Sequence, residues 1–168
     1  MLIKEKVGNL DLFAVNNRNI DVVLLDWFET SKRILHKKTT MGKDISMKFL
    51  SEDPQLRVGD IVYEDDFTLI IIDIKECDTL VILPKTMQEM AAICYEIGNK
   101  HLPLFYQEEE ILVAYEPPLF KLFIAAGYNV EKAKRKLVTP IKTTVAPHGG
   151  SSGNSLFSKI MKLTTDKE

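Results

Sequence analysis

Histidine is scarce in this sequence, with three among 168 residues at positions 36, 101 and 148. Cysteine is scarcer still: Cys77 and Cys94 are too few and too isolated for a disulfide framework or a C-x-x-C metal or redox motif. Both are expected to be buried as small hydrophobes. Charge of one sign is lacking too. Twenty-two basic residues face twenty-four acidic ones, a formal charge of −2, so no overall field draws the chain to nucleic acid or to an anionic membrane. Apolar runs such as TLIIIDI and TLVIL fall well short of the roughly 20 residues of a membrane span. The N-terminal MLIKEKVGNLDL mixes acids into its apolar pattern and has no small-residue cleavage site, unlike a secretory signal. Together these absences predict a cytoplasmic protein with no nucleic-acid and no membrane partner. Missing as well are G-x-S-x-G, G-x-G-x-x-G, a Walker loop, H-E-x-x-H and a cysteine with an obvious histidine partner, which predicts a protein that is not an enzyme.

What is present is ordinary globular material, 45% hydrophobic and 27% charged, enough for one sizeable core or two small ones. In the first 75 residues, IDVVLLDWFET, SKRILHKKTT, KDISMKFL, GDIVYED and FTLIIIDI are short, rich in β-branched and aromatic residues, and punctuated by Gly42, Pro54 and Gly59-Asp60. Residues 1–75 are therefore expected to form a small antiparallel β-domain, with Ile45, Met47 and Phe49 alternating as a half-buried strand requires.

The pattern changes near residue 76. TLVILP reads as a strand and TMQEMAAICYEIG as a helix, opened by Thr86 and Glu89 at capping-box spacing. Met87, Met90, Ala91, Cys94 and Ile97 are expected on its buried face, and Gly98 at its C-cap. LPLFY and ILVAY follow as strands around QEEE, then PPLFKLFIAAG as a helix with prolines in its first turn. YNVEKAKRKLVTP supplies a last strand. Residues 76–138 thus predict a ferredoxin-like β-α-β-β-α-β domain, making the whole chain α+β. Residues 139–168, opening TPIKTTVAPHGGSSGNS, have the composition of a flexible C-terminal tail.

His101 sits where the first helix meets a strand, and two readings of it are open. A histidine just past a helix C-terminus answers the negative end of the macrodipole and can bond free carbonyls. Alternatively it is a metal ligand. One imidazole is a poor site, but a two-fold axis would bring His101 together from two subunits. His148, on a tail able to span roughly 18 Å for about ten flexible residues, could join them as a tethered ligand. Imidazole suits Ni, Cu, Zn and Fe alike. Ligation requires the neutral ring, so uptake is expected to weaken as pH falls below about 6.5.

ICYEIGNKHLPL, with Gly98-Asn99-Lys100-His101 at its centre, resembles the G-N-[RK]-H signature of the UreE family of urease accessory nickel metallochaperones. An early GNL, the DWFET segment, the element from Leu56 to Ile61 containing Gly59-Asp60, and a V-x-P-H tail occur in the same order as in that family. The resemblance implies a homodimer built around the second domain, with a dimer of dimers left open. It implies Ni(II) as cargo held by His101 of each subunit and completed by His148, with Zn(II) or Cu(II) as competitors. It also implies that the first domain, peptide-binding-like, meets the urease GTPase accessory protein and apo-urease with its other accessory proteins. Two departures matter. The tail carries one histidine instead of a histidine-rich run, so bulk nickel storage is not expected. Tyr115-Glu116-Pro117-Pro118 also stands where other members have a histidine pair.

Two other functions compete with delivery. A metal-independent scaffold of the urease assembly complex would bind a partner by strand addition and use His101 only as a cap. A hydrolase would need carboxylates from Glu108, Glu109 and Glu110 or Asp65 and Asp66, adjacent acids of the kind that usually form solvated faces. His36 is expected to be a surface or structural residue, and EKAKRKL a solvated edge strand.

Overall fold

The computed structural model describes residues 1–51 and 53–142. The chain divides into two compact units, one of Met1–Cys77 with Arg135–Val138, the other of Asp78–Lys134 with the residues from Thr139 onward. Among the described residues no helix is long and apolar enough to cross a membrane.

The first unit carries β1 (Leu2–Ile3), β2 (Gly8–Asn9), β3 (Asn19–Leu25), β4 (Ile34–Lys38), β5 (Asp44–Lys48), β6 (Asp60–Glu64) and β7 (Thr68–Ile74). They form two sheets, β1-β5-β4 and β2-β6-β7-β3. Ile3, Leu35, Ile45 and Met47 from one sheet share a core with Val23, Leu25, Val62, Ile70 and Ile72 from the other. The alternation expected for Ile45, Met47 and Phe49 holds, since all three are buried. The expected antiparallel domain needs correction: β4–β5 and β6–β7 are antiparallel, but β1 pairs with β5 and β3 with β7 in parallel. Period-two alternation sets which face is buried and carries no strand direction. The long crossover that parallel pairing requires is supplied for β3 and β7 by the chain from β4 to β6 and for β1 and β5 by the chain from β2 to β4.

Two buried carboxylates tie loops to this unit. Asp21, 2% exposed, accepts hydrogen bonds from the N–H groups of Val22 (2.9 Å) and Met41 (3.0 Å) and from the Thr40 hydroxyl (3.1 Å). Burial alone would raise its pKa, but the hydrogen bonds from Thr39, Met41, Thr40 and Val22 outweigh burial and hold it below the ordinary value. Glu29 behaves alike: burial opposes its charge, while Lys37, the Asp26 N–H and Lys32 bring its pKa down.

The second unit follows the order β8 (Glu76–Ile82), α1 (Met87–Asn99), β9 (Phe105–Gln107), β10 (Glu110–Ala114), α2 (Pro117–Ala125) and β11 (Val130–Lys136). Its sheet runs β11-β8-β10-β9, with β10 antiparallel to both neighbours. Leu80, Ile82, Ile111 and Val113 on one sheet face pack with Ile93 and Ile97 of α1 and Leu119 and Phe123 of α2. Pro117 and Pro118 occupy the first turn of α2, where a missing N–H costs nothing. β11 is an edge strand, and its Lys132 and Lys134 both grip Asp78, at 2.8 and 2.7 Å. Their hydrogen bonds hold that carboxyl down at about 2. Lys132 and Lys134 of the basic run are thus exposed on an edge strand, as expected, with their charge answered by Asp78.

Candidate metal site at the end of helix α1

Helix α1 begins as its sequence suggests. The Thr86 hydroxyl accepts the Glu89 N–H at 3.1 Å, while the Glu89 carboxylate accepts the Lys85 N–H at 2.7 Å, one residue beyond the Thr86 N–H of the usual reciprocal bond. The face it buries keeps Met90, Cys94 and Ile97 of the five residues expected there but is displaced toward Ile93. Ile93 and Ile97 are fully buried, with Met90 and Cys94 packed beside them, whereas Met87 is 83% exposed and Ala91 is exposed too. Apolar residues lie on more than one side of this helix, so periodicity alone admits two stripes. The exposed one runs Met87, Ala91, Tyr95, Gly98.

The end of α1 also departs from expectation. Gly98 lies within the helix and has no positive φ, so it is not the capping glycine. That position belongs to His101, at φ +54. The His101 N–H donates to the Gly98 carbonyl at 2.9 Å and the Leu102 N–H to the Ile97 carbonyl at 3.4 Å. This pair of bonds closes a helix through a left-handed residue, and the apolar contact that usually accompanies it is present, since Leu102 packs on the core beside Ile97. Helix α2 closes the same way: Gly127, at φ +78, donates to the Ile124 carbonyl at 3.0 Å and Tyr128 to the Phe123 carbonyl at 3.1 Å. One turn is built with glycine, the residue suited to it; the other is built with an exposed histidine. His101 therefore finishes the helix by its backbone, where the capping reading had invoked its side chain, and its imidazole is exposed.

The start of the tail lies close by. The Ile141 N–H donates to the Leu104 carbonyl at 2.7 Å, and Pro140 pairs with Phe105 in an antiparallel bridge. The chain that leads to His148 thus departs from beside the segment that follows His101. His148 itself, with the tail from residue 143, lies outside the described residues.

The remaining candidates do not converge. His36 is exposed on β4 in the first unit, its Nδ1 2.9 Å from the Ser46 hydroxyl. Asp65 is committed to a turn, accepting from the N–H groups of Phe67 and Thr68 and from the Tyr63 hydroxyl. Glu108 and Glu109 form the exposed β9–β10 turn. Cys77 and Cys94 are not joined in a disulfide and are half-buried where burial was expected; Cys94 lies 3.9 Å from the Met90 sulfur, and burial pushes its thiol pKa up. Among the described residues of one chain, no group of three or more His, Cys, Asp or Glu could hold a metal ion.

Residues 3–75 match the model of the UreE urease accessory protein N-terminal domain, and residues 77–154 that of the C-terminal domain. The chain belongs to the UreE family. It is 45% identical to a urease accessory protein UreE of Flavobacterium johnsoniae over 163 residues, 97% of this chain and 99% of that one. A UreE of Haemophilus influenzae is 36% identical over 149 residues, 86% of this chain and 80% of its own. A UreE of Acetivibrio thermocellus is 30% identical over 155 residues, 92% and 99% respectively. The likeness to UreE proteins therefore spans both units and does not rest on the residues around His101 alone.

Proposed function

We propose that this UreE family member is a cytoplasmic nickel metallochaperone, not a catalyst, which binds Ni(II) at a homodimer interface and delivers it for assembly of the urease active site. The observation that carries the reading is the exposed His101 at the left-handed position closing α1. An exposed imidazole at a backbone position that favours glycine is the kind of outlier that marks a functional residue. One such ring per chain makes a poor site, and a symmetric pair makes a usable one. The exposed apolar stripe of α1 leading to His101 suits contact with a second copy, and a dimer of dimers is compatible with it.

His148 completes the site in this reading. Ile141 is hydrogen-bonded beside Leu104, which by chain length lies at most about 11 Å from His101. The seven residues after Ile141, ending at His148, have a linker-like composition; a linker of that length spans roughly 13–16 Å, and tethering gives a millimolar effective concentration. A ligand held that way binds readily and leaves readily, as handing over a cargo requires. Zn(II) and Cu(II) compete for the same donors. In this division of labour residues 76–138 form the ferredoxin-like metal and dimer domain and residues 139–168 the clasp. Residues 1–75 meet the urease GTPase accessory protein and apo-urease with its other accessory proteins.

A calorimetric nickel titration of the wild type, His101→Gly and His148→Ala, with mass fixed by light scattering, tests the proposal. The expected result is one tight ion per dimer, lost with His101→Gly and weakened with His148→Ala. Wild-type affinity in His101→Gly would overturn it and favour a metal-independent scaffold.

A further inference from the structure

The stretch from Ser31 to Leu50 is charged unlike the chain as a whole. Lys32, Arg33, Lys37, Lys38, Lys43 and Lys48 stand there against one acid, Asp44, in a chain of formal charge −2. Lys37 answers Glu29, and Lys43 lies over the Tyr63 ring. The alternation of β4 and β5 turns Lys38 and Lys48 outward instead, onto the sheet face that also exposes Ile34, His36 and Asp44. Lys38 and Asp44 are 3.6 Å apart with both side chains exposed, a pairing worth little in water.

The same hairpin has an open backbone edge. β4 ends the sheet β1-β5-β4. The Phe49 N–H donates to the Arg33 carbonyl at 3.0 Å and the Thr39 N–H to the Lys43 carbonyl at 2.9 Å, so the bonded pairs of this antiparallel ladder fall on odd-numbered residues of β4. Ile34, His36 and Lys38 therefore aim their N–H and C=O groups away from β5. The next residue in that row, Thr40, donates its N–H to the Val22 carbonyl of β3 at 2.8 Å. From Lys38 back to Ile34, among the described residues, no strand pairs with that side, and the register with β5 runs without a bulge.

Resting on the reading that residues 1–75 meet protein partners, we propose that β4 takes an extended acidic segment of a partner as an added strand. Its backbone bonds to Ile34, His36 and Lys38, and its acids lie against Lys38 and Lys48. Charge chooses this occupant. A second copy pairing edge to edge would set the basic hairpin against itself, which is how lysine guards an edge strand. An acidic strand meets attraction at the same lysines. Strand addition draws affinity from backbone bonds and selectivity from alternate side chains. Ile34 and Leu2, both more than half exposed on this face, suit the apolar side chains of a polypeptide and not a phosphate backbone.

The test titrates the full chain, followed by NMR, with a capped peptide of about eight residues alternating glutamate with valine. Its lysine–valine counterpart and an oligothymidylate are the controls. His36→Pro removes an N–H that faces away from β5, so it blocks an added strand and leaves the β4–β5 ladder in place; His36→Ala keeps that N–H. The glutamate peptide is expected to shift the amides of β4. Its dissociation constant should rise about tenfold in His36→Pro and in Lys38→Glu and hold in His36→Ala, while both controls bind more weakly. Circular dichroism checks that His36→Pro is folded; if it is not, Lys38→Glu and Lys48→Glu, which leave the backbone unchanged, decide together with the amide shifts. Unchanged binding in a folded His36→Pro, or in both lysine variants, would overturn the proposal, as would tighter binding of the oligothymidylate. Failure of the peptide, while the wild type still binds the urease GTPase accessory protein, would overturn the edge alone. A wild type that binds neither that protein nor apo-urease would overturn the reading beneath it.

Discussion

A non-glycine residue in the left-handed region carries strain of about 1–2 kcal/mol, and His101 sits there at φ +54. Its counterpart after α2 is a glycine. His101→Gly should therefore separate fold from function: urea denaturation is expected to show a gain of about 0.5–1 kcal/mol, after allowing for glycine's greater freedom in the unfolded chain, while nickel binding disappears. A loss of stability would mean that the imidazole holds the turn together through its side chain, and its ligand role would lose its main support. The motif around this residue was legible before the fold was known, but its backbone role was not. Gly98 stood at the expected distance from the helix start and carried the residue type of a cap. The helix nonetheless runs to Asn99, because the turn that follows is closed by placing Leu102 on the core, a contact that local spacing does not contain.

The elements themselves followed the pattern of apolar and turn residues closely. Thr86, the paired prolines at the start of α2 and the glycine after it sit where their chemistry predicted. The β9–β10 connection does not follow its turn chemistry. Gln107 pairs with Glu110, and the two residues between them, Glu108 at φ +49 and Glu109 at φ +68, occupy positions that favour Asn-Gly. The double substitution Glu108→Asn with Glu109→Gly should stabilise the chain by about 1 kcal/mol or more. A shift of the urea midpoint at constant slope would establish it, and an unchanged midpoint would show that the glutamates recover the strain through other contacts. The periodicity of α1 admits too broad a buried face for a related reason. Met87 and Ala91 fit an apolar stripe as well as Ile93 does, and only packing against β8 and β10 selects which stripe goes inside.

At the scale of the whole molecule, stability should depend on acid through Asp21 and Glu29. Both have folded pKa values below the ordinary 3.8 and 4.5, so the folded state holds the charged form more strongly than the unfolded one. Their stabilisation is full above the ordinary range and is lost as pH falls from about 4.5 through the depressed values. Asp21→Asn is expected to cost about 1–3 kcal/mol at pH 7 and to flatten the acid limb of a plot of stability against pH. An acid limb identical to that of the wild type would place its origin elsewhere. Neither residue stood out in the sequence, because each is isolated among strands and acquires its partners from segments distant along the chain, Thr40 and Met41 for Asp21 and Lys37 for Glu29. Composition, residue spacing and turn residues by themselves determined that the chain has a β-rich part and then a β-α-β-β-α-β part, that both helices start where they do, and that His101 follows the first of them, since these depend on neighbours within a few residues. Tertiary structure alone decided the parallel pairing of β3 with β7, the buried face of α1, the left-handed backbone at His101 and the anchoring of the tail beside Leu104, because each is set by contacts between groups that local sequence does not bring together.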